Sequence, residues 1–426
     1  MEFDHILRNA RIAGDDSELC DIGWRDGRIA AIGQRLACDA PKTDAGGRLV
    51  VPGFVDTHVH LDKSCIMGRC DCHEGTLAEA IAQTAAAKRD FTEDDVYARA
   101  ERTLKKSILH GTTWMRTHVE VDPRIGLKSF RAIKKLKANY AFAIDLQICV
   151  FPQEGMINDP GTDELLIEAC EQGADVIGGC PYTDSEPDIH IARIFEIAKR
   201  FDIDIDFHLD FDLDPSAMSL HEVCRQTTAH GFEGRVAIGH VTKLSVVGRL
   251  QLDAIADLLA RSGVALTALP ATDLFLMGRD HEHSVPRGVT PVHRLVERGV
   301  NCSLATNNVL NPFTPFGDCS LVRIANLYAN VAQIGRTQDM HACLDLVTHM
   351  PAKLMRLCEY GIGVGNAADI VVLDCEDRGA VVAELVPTWM VFKRGQMTVT
   401  RPAPSLLWPG SRAQRSLAGA LIARSW

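Results

Sequence analysis

The chain has 426 residues, 46% hydrophobic and 24% charged, enough apolar material for one large domain with an accessory unit, or for two domains. A formal net charge of −11 and an isoelectric point near 5.8 give no electrostatic reason to expect nucleic acid or an anionic membrane surface, and favour a small neutral or cationic ligand. The 14 cysteines contain no C-x-x-C pair, Met1-Glu2-Phe3-Asp4-His5 has neither the basic nor the apolar part of a leader, and no run approaches the ~18 apolar residues of a membrane span, so a soluble, cytoplasmic protein with reduced thiols is expected.

Residues 3 to 50 alternate short β-like runs with turn signals, and Asp26-Gly27 between two such runs predicts a hairpin. The segment from Leu49 to Val55, apolar except for Pro52-Gly53, reads as a strand buried on both faces that delivers His58 and His60 at its C-terminal end. Residues two apart on a strand point to the same side, so both imidazoles can reach one ion. Imidazole suits zinc and iron, and a site with few thiolates and a free position is catalytic more often than structural.

From Pro52 onward, amphipathic segments alternate with short apolar ones. Thr92-Glu93-Asp94-Asp95 supplies an N-cap and an acidic first turn, Val96, Ala100, Leu104 and Ile108 keep helical spacing, and Gly111 closes that helix. A strand follows over 113–121, and the alternation recurs with candidate strands near 143–152, 174–181, 203–210, 235–241, 264–271 and 301–307. With residues 49–58 these make eight strands over roughly 260 residues, the pattern of an α/β protein built as a (β/α)8 TIM barrel over 52–360, with its site at the C-terminal strand ends. Ligand-capable residues stand at those ends: His58 and His60, His118, Gln153, His208 and Asp210, His240, and Asn307 with Asn308. His118 taken alone reads equally well as a structural histidine, whereas His58, His60, His208 and His240 together read as a convergent site. Residues 361–374 and 389–396 return to the β texture of the N-terminus, so 1–51 and 361–401 are expected to form a small β-sandwich together. Residues 402–426, with Arg412, Arg415 and Arg424, read as a packed tail or an oligomer contact, and a homo-oligomer is expected.

The motifs also carry a resemblance. Pro52-Gly53-Phe54-Val55-Asp56-Thr57-His58-Val59-His60-Leu61-Asp62, Thr117-His118-Val119-Glu120-Val121-Asp122, Phe151-Pro152-Gln153-Glu154-Gly155, Gly239-His240 and Asn311-Pro312-Phe313-Thr314-Pro315-Phe316-Gly317 make the chain similar, over nearly its whole length, to the amidohydrolase superfamily and within it to the cytosine deaminase-like branch. The resemblance implies one divalent metal ion, zinc or iron, held by His58, His60 and His208, with Asn307 where the family has an aspartate. It also places Phe211 where the family has a proton-shuttling glutamate. Both are departures, because a carboxamide cannot act as a base near pH 7 and a phenyl ring cannot move a proton. Gln153 matches the glutamine that reads a pyrimidine-like amide edge, His240 the histidine that polarises water or a developing oxyanion, and Lys63 resembles a lysine of the triazine-degrading aminohydrolases. The fourth strand ends Gly178-Gly179-Cys180-Pro181 without a lysine, so no bridged second metal is implied.

The expectation is a mononuclear metal-dependent hydrolase of a C–N bond in or on a nitrogen heterocycle, by deamination, dealkylamination or cyclic amide hydrolysis. His240, Asp210 and Lys63 are the candidate catalytic groups, and Gln153, Phe211 and Asn308 the candidate substrate contacts. The alternative, resting on the same two departures, is a degenerate homologue that binds a heterocycle or joins an oligomer without turnover.

Overall fold

In the computed structural model, which describes residues 2–13, 18–402, 404 and 406, eight parallel strands follow one another in chain order around a barrel. They are Phe54–Val59, Thr112–Glu120, Asp145–Phe151, Val176–Ile177, Asp204–Leu209, Val236–His240, Val264–Ala268 and Cys302–Leu304. The fourth is the shortest, so the strand expected over 174–181 shrinks to two residues, each paired with both neighbouring strands. A parallel bridge between Val59 and Asn307 brings the end of the eighth strand to the first: Asn307 N donates to His58 O at 2.8 Å and His60 N to Asn307 O at 3.0 Å. The (β/α)8 architecture therefore stands. Arg412, Arg415 and Arg424 of the expected tail lie outside the described residues.

Local chemistry explains how the helices seat. In Glu93–Leu109, Thr92 Oγ1 accepts the Asp95 amide at 3.2 Å, and Val96, Ala100, Leu104 and Ile108 form its buried stripe. Gly111, at φ +90°, then turns the chain straight into the second barrel strand.

The two ends of the chain share one eight-stranded sheet, to which Cys20–Arg25, Arg28–Gly33, Ile370–Leu373 and Thr388–Lys393 belong. Asp26 and Gly27 both adopt positive φ, as the expected hairpin turn requires. Trp24 and Phe392 sit on strands separated by three others, yet their rings pack edge to face at 5.1 Å, so the sheet folds over on itself as a small sandwich.

One expectation is corrected. Leu49 to Val55 is not a single strand: Leu49–Pro52 belongs to the small sheet, pairing antiparallel with Ile370–Leu373 and parallel with His5–Ile12, while Phe54–Val59 opens the barrel. The joint is Gly53, where a Cβ would lie 2.0 Å from Thr113 Oγ1, so the start of the second barrel strand packs on bare backbone. An apolar run hides such a joint because both halves are equally buried. Gly53→Ala is expected to lower the unfolding free energy by about 1–3 kcal/mol, the usual cost of overpacking. Chemical denaturation should show this loss, with Thr113→Ala recovering part of it.

Candidate active site

The closing end of the barrel gathers histidines in a water-excluded space. His58 Nε2 lies 3.0 Å from His208 Nε2, which lies 3.1 Å from His60 Nε2, and all three side chains are buried. Burial first, and then the repulsion of neighbouring cationic groups, holds the pKa of each ring well below the ordinary histidine value. The Nε2 of neutral His208 therefore faces the Nε2 atoms of both His58 and His60, while the Nδ1 atom of each ring is buried without a hydrogen-bond partner. Buried neutral imidazoles of this kind are a donor set suited to a divalent cation, with Nε2 as the ligand atom. The i, i+2 spacing of His58 and His60 does what the strand pleat predicts.

His240 completes the ring of histidines. Its ligating atom lies within 4.8 Å of those of His58 and His208, and its Nδ1 is 2.6 Å from Asp273 Oδ1. The carboxylate keeps the ring proton on Nδ1 and leaves Nε2 as the proton acceptor. Both His240 (φ +68°) and Asn307 (φ +60°) are left-handed, a conformation that Asn and His tolerate better than most residues and that turns the chain sharply at a strand end. Asp273, on the short helix Pro270–Leu276, went unnoticed in the sequence. No polar group had been assigned to the end of the seventh strand, and an acid five residues beyond Ala268 was the available signal.

The amidohydrolase family model matches residues 43–144 and 132–399. The chain belongs to the amidohydrolase family. It is 27% identical over 408 residues to the N-isopropylammelide isopropyl amidohydrolase of Pseudomonas sp. (strain ADP), covering 93% of this chain and 98% of that one. It is 27% identical to a pterin deaminase of Rhizobium rhizogenes, covering 88% and 87% respectively. The crystal structure of 5-methylcytosine deaminase from Klebsiella pneumoniae liganded with 5-fluorocytosine superposes with a TM-score of 0.91 at 29% identity, covering 95% of this chain and all 100% of that one. These relatives are amidohydrolases and deaminases, which act on C–N bonds, and this chain is an amidohydrolase with a histidine set suited to a metal.

Within this amidohydrolase the two departures sit at the centre. Asn307 Oδ1 accepts Asn308 Nδ2 at 3.0 Å, and Asn308 Oδ1 in turn accepts Asn311 Nδ2 at 2.8 Å, so a chain of carboxamides holds the position where the family has an acid. The Phe211 ring lies 3.8 Å from the His240 ring and joins Ala80, Leu276 and Phe313 in an apolar cluster. Ala80 comes from Leu77–Ala87, a helix inserted between the first barrel strand and Glu93–Leu109, which with Leu77 and Ile81 forms a roof over the site. On the other wall, Lys63 Nζ is 3.1 Å from Gln153 Oε1 and 2.7 Å from Glu120 Oε1, and stands 4.3 Å from the centre of the Phe313 ring. Gln153 Nε2 reaches Cys180 Sγ at 3.4 Å.

Two further candidates are placed differently, Asp210 turned away from the imidazoles and His118 among them. Asp210 accepts the amides of Ser219 and Leu220 at 2.9 and 3.1 Å, so its carboxylate fastens the start of helix Leu220–His230 and is not aimed at the imidazoles. His118 stacks on His58 at 3.7 Å, and its Nε2 faces the Asp206 carboxylate, 3.5 Å from Oδ1. Replacing His58, His60 or His208 with Ala should reduce tightly bound zinc from about one ion per chain to less than about a tenth after dialysis, as expected for a three-histidine site. Asp273→Asn should keep its metal, since it acts on His240; elemental analysis distinguishes the two outcomes.

Proposed function

We propose that the protein is a mononuclear metal-dependent hydrolase that removes an alkyl- or arylamine from the ring carbon of a nitrogen heterocycle. The observation that carries this reading is the convergence of His58, His60 and His208 beside a His240–Asp273 pair whose far wall is Phe211. A divalent ion held by the three histidines would acidify water and polarise the carbon under attack. His240 Nε2 takes a proton from the attacking water and returns it to the departing nitrogen, while Asp273 stabilises the imidazolium that forms in between. Water oxygen adds to the ring carbon, the C–N bond breaks, and the amine leaves with the relayed proton.

The remaining residues bind and exclude. Asn307 cannot ionise, so proton transfer falls to His240. Lys63 Nζ and the Gln153 amide present polar groups toward the heterocycle edge, because each has hydrogen-bonding capacity beyond the contacts it already makes. Phe211, Phe313 and Leu276 keep water from the leaving-group side and offer apolar contact to a carbon substituent. The names of the relatives supply a panel: N-isopropylammelide, 5-methylcytosine and pterin.

A second reading, binding without turnover, rests on Asn307 and Phe211 together. Zinc-loaded protein that releases neither amine nor ammonia from any member of the panel would favour it, and Asn307→Asp with Phe211→Glu would then show whether restoring both acids awakens deamination. On the main reading, His240→Asn should lower kcat by at least ~10²-fold with metal content nearly unchanged. Retention of more than about a tenth of wild-type kcat would remove His240 from the proton path.

A further inference from the structure

The roof helix Leu77–Ala87 is held differently at its two ends. At its start, Thr76 caps the Glu79 amide, and Glu79 accepts the amides of His73, Glu74 and Gly75, all within the segment. The segment also reaches outward through Arg279, whose Nη1 donates to Glu74 O at 3.2 Å. Past its last turn the chain enters Lys88, and that side chain is buried: Nζ lies 2.7 Å from Glu120 Oε2, 2.6 Å from Asp122 Oδ2 and 2.6 Å from Glu154 Oε1. The three carboxylates have the spacing of a cation site, and the ammonium of Lys88 sits among them.

Glu120 has a second oxygen, and it is used for something else. Oε1 takes Lys63 Nζ at 2.7 Å, so one buried carboxylate bridges two ammonium groups, one in the wall of the pocket and one anchoring the roof. The backbone leaves this bridge little slack. Asp62 Oδ2 accepts the Glu120 amide and Asp62 Oδ1 the Lys63 amide, both at 2.9 Å, which fixes the main chain behind each partner. Breaking one contact in a buried ionic network leaves the surviving charges uncompensated, so a displacement of either lysine is felt at the other.

We propose that Glu120 is a positioning residue that sets the Lys63 ammonium in the pocket and the seat of the roof helix together, acting on the roof through Lys88. The role of Lys63 toward substrate rests on the function proposed above; the linkage between pocket and roof does not. A second route from Lys63 to the roof runs through Phe313, which touches both Lys63 and the cluster containing Ala80, and the experiment must separate the two.

Hydrogen–deuterium exchange of zinc-loaded, full-length protein, read on peptides covering 73–87, makes that separation. Lys88→Met should speed exchange of the roof by roughly ten-fold or more, and Lys63→Met by about three-fold or more, as expected for local opening when a buried ion pair is broken. In the Lys88→Met background, and in Glu120→Gln, adding Lys63→Met should change the roof rate by less than about 1.5-fold, the non-additivity expected of residues in one network. Peptides covering 204–209 and the zinc content should stay at wild-type values throughout. A roof unaffected by Lys63→Met, or one that it speeds equally when Lys88 is already Met, overturns the proposal. The Lys63 and Lys88 cycle decides the matter even where Glu120→Gln does not fold. Failure to turn over N-isopropylammelide would count against the proposed function and leave the exchange result standing.

Discussion

Three buried, uncharged imidazoles, with His208 Nε2 at 3.0 Å from that of His58 and 3.1 Å from that of His60, make an arrangement that a polypeptide does not hold cheaply without a cation. It survives because the backbone allows little else. The amide and carbonyl of Asn307 are woven between His58 and His60, so the contact that brings the barrel ends together also fixes the direction of the first two rings. His208 arrives from the fifth strand, paired in register with the sixth strand that carries His240. Barrel geometry and donor geometry are thus one constraint: a shift in closure moves two of the three nitrogens.

Negative charge is kept one step away from this centre. Asp273 meets His240, Asp206 faces His118, and Asp56, within the first strand, accepts the amides of Thr306 and His58, while burial raises its pKa to about 6. Glu120, though buried, is held at about 2 by the two ammonium groups it bridges. Beside the imidazoles stand Gln153, Asn308, aromatic rings and Lys63, whose charge is matched by Glu120, so these groups carry no unpaired negative charge although the chain has a net charge of −11. Net charge describes how a molecule behaves at a distance, and says little about a space lined by a handful of groups.

The same contrast separates what could be read from the sequence and what could not. Strand period and turn chemistry placed all eight barrel strands and the Asp26-Gly27 hairpin, because those signals are local. The gathering of histidines at one end of the barrel was legible for the same reason: His58 and His60 stand two apart at the end of the first strand, and His208 and His240 come from the ends of neighbouring strands. Partnerships across the fold were not. Asp210 shares a strand face with His208, yet its carboxylate takes the helix start at Leu220, and Asp273, which no local pattern singles out, meets His240. The division of Leu49 to Val55 between two sheets could not be seen, since hydrophobicity reports burial and not which layer does the burying.

That division also bears on how the molecule comes into being. Leu49–Pro52, the segment that leads directly into the histidine-bearing strand, takes its antiparallel partner from Ile370–Leu373, more than three hundred residues later in the chain. At a synthesis rate of about 5–20 residues per second, the wait is on the order of 15 to 60 seconds. During that interval the nascent chain has an apolar strand with one edge unpaired, so the barrel can be finished while its mounting is not. A ribosome-bound intermediate of this kind is where a chaperone would find its substrate.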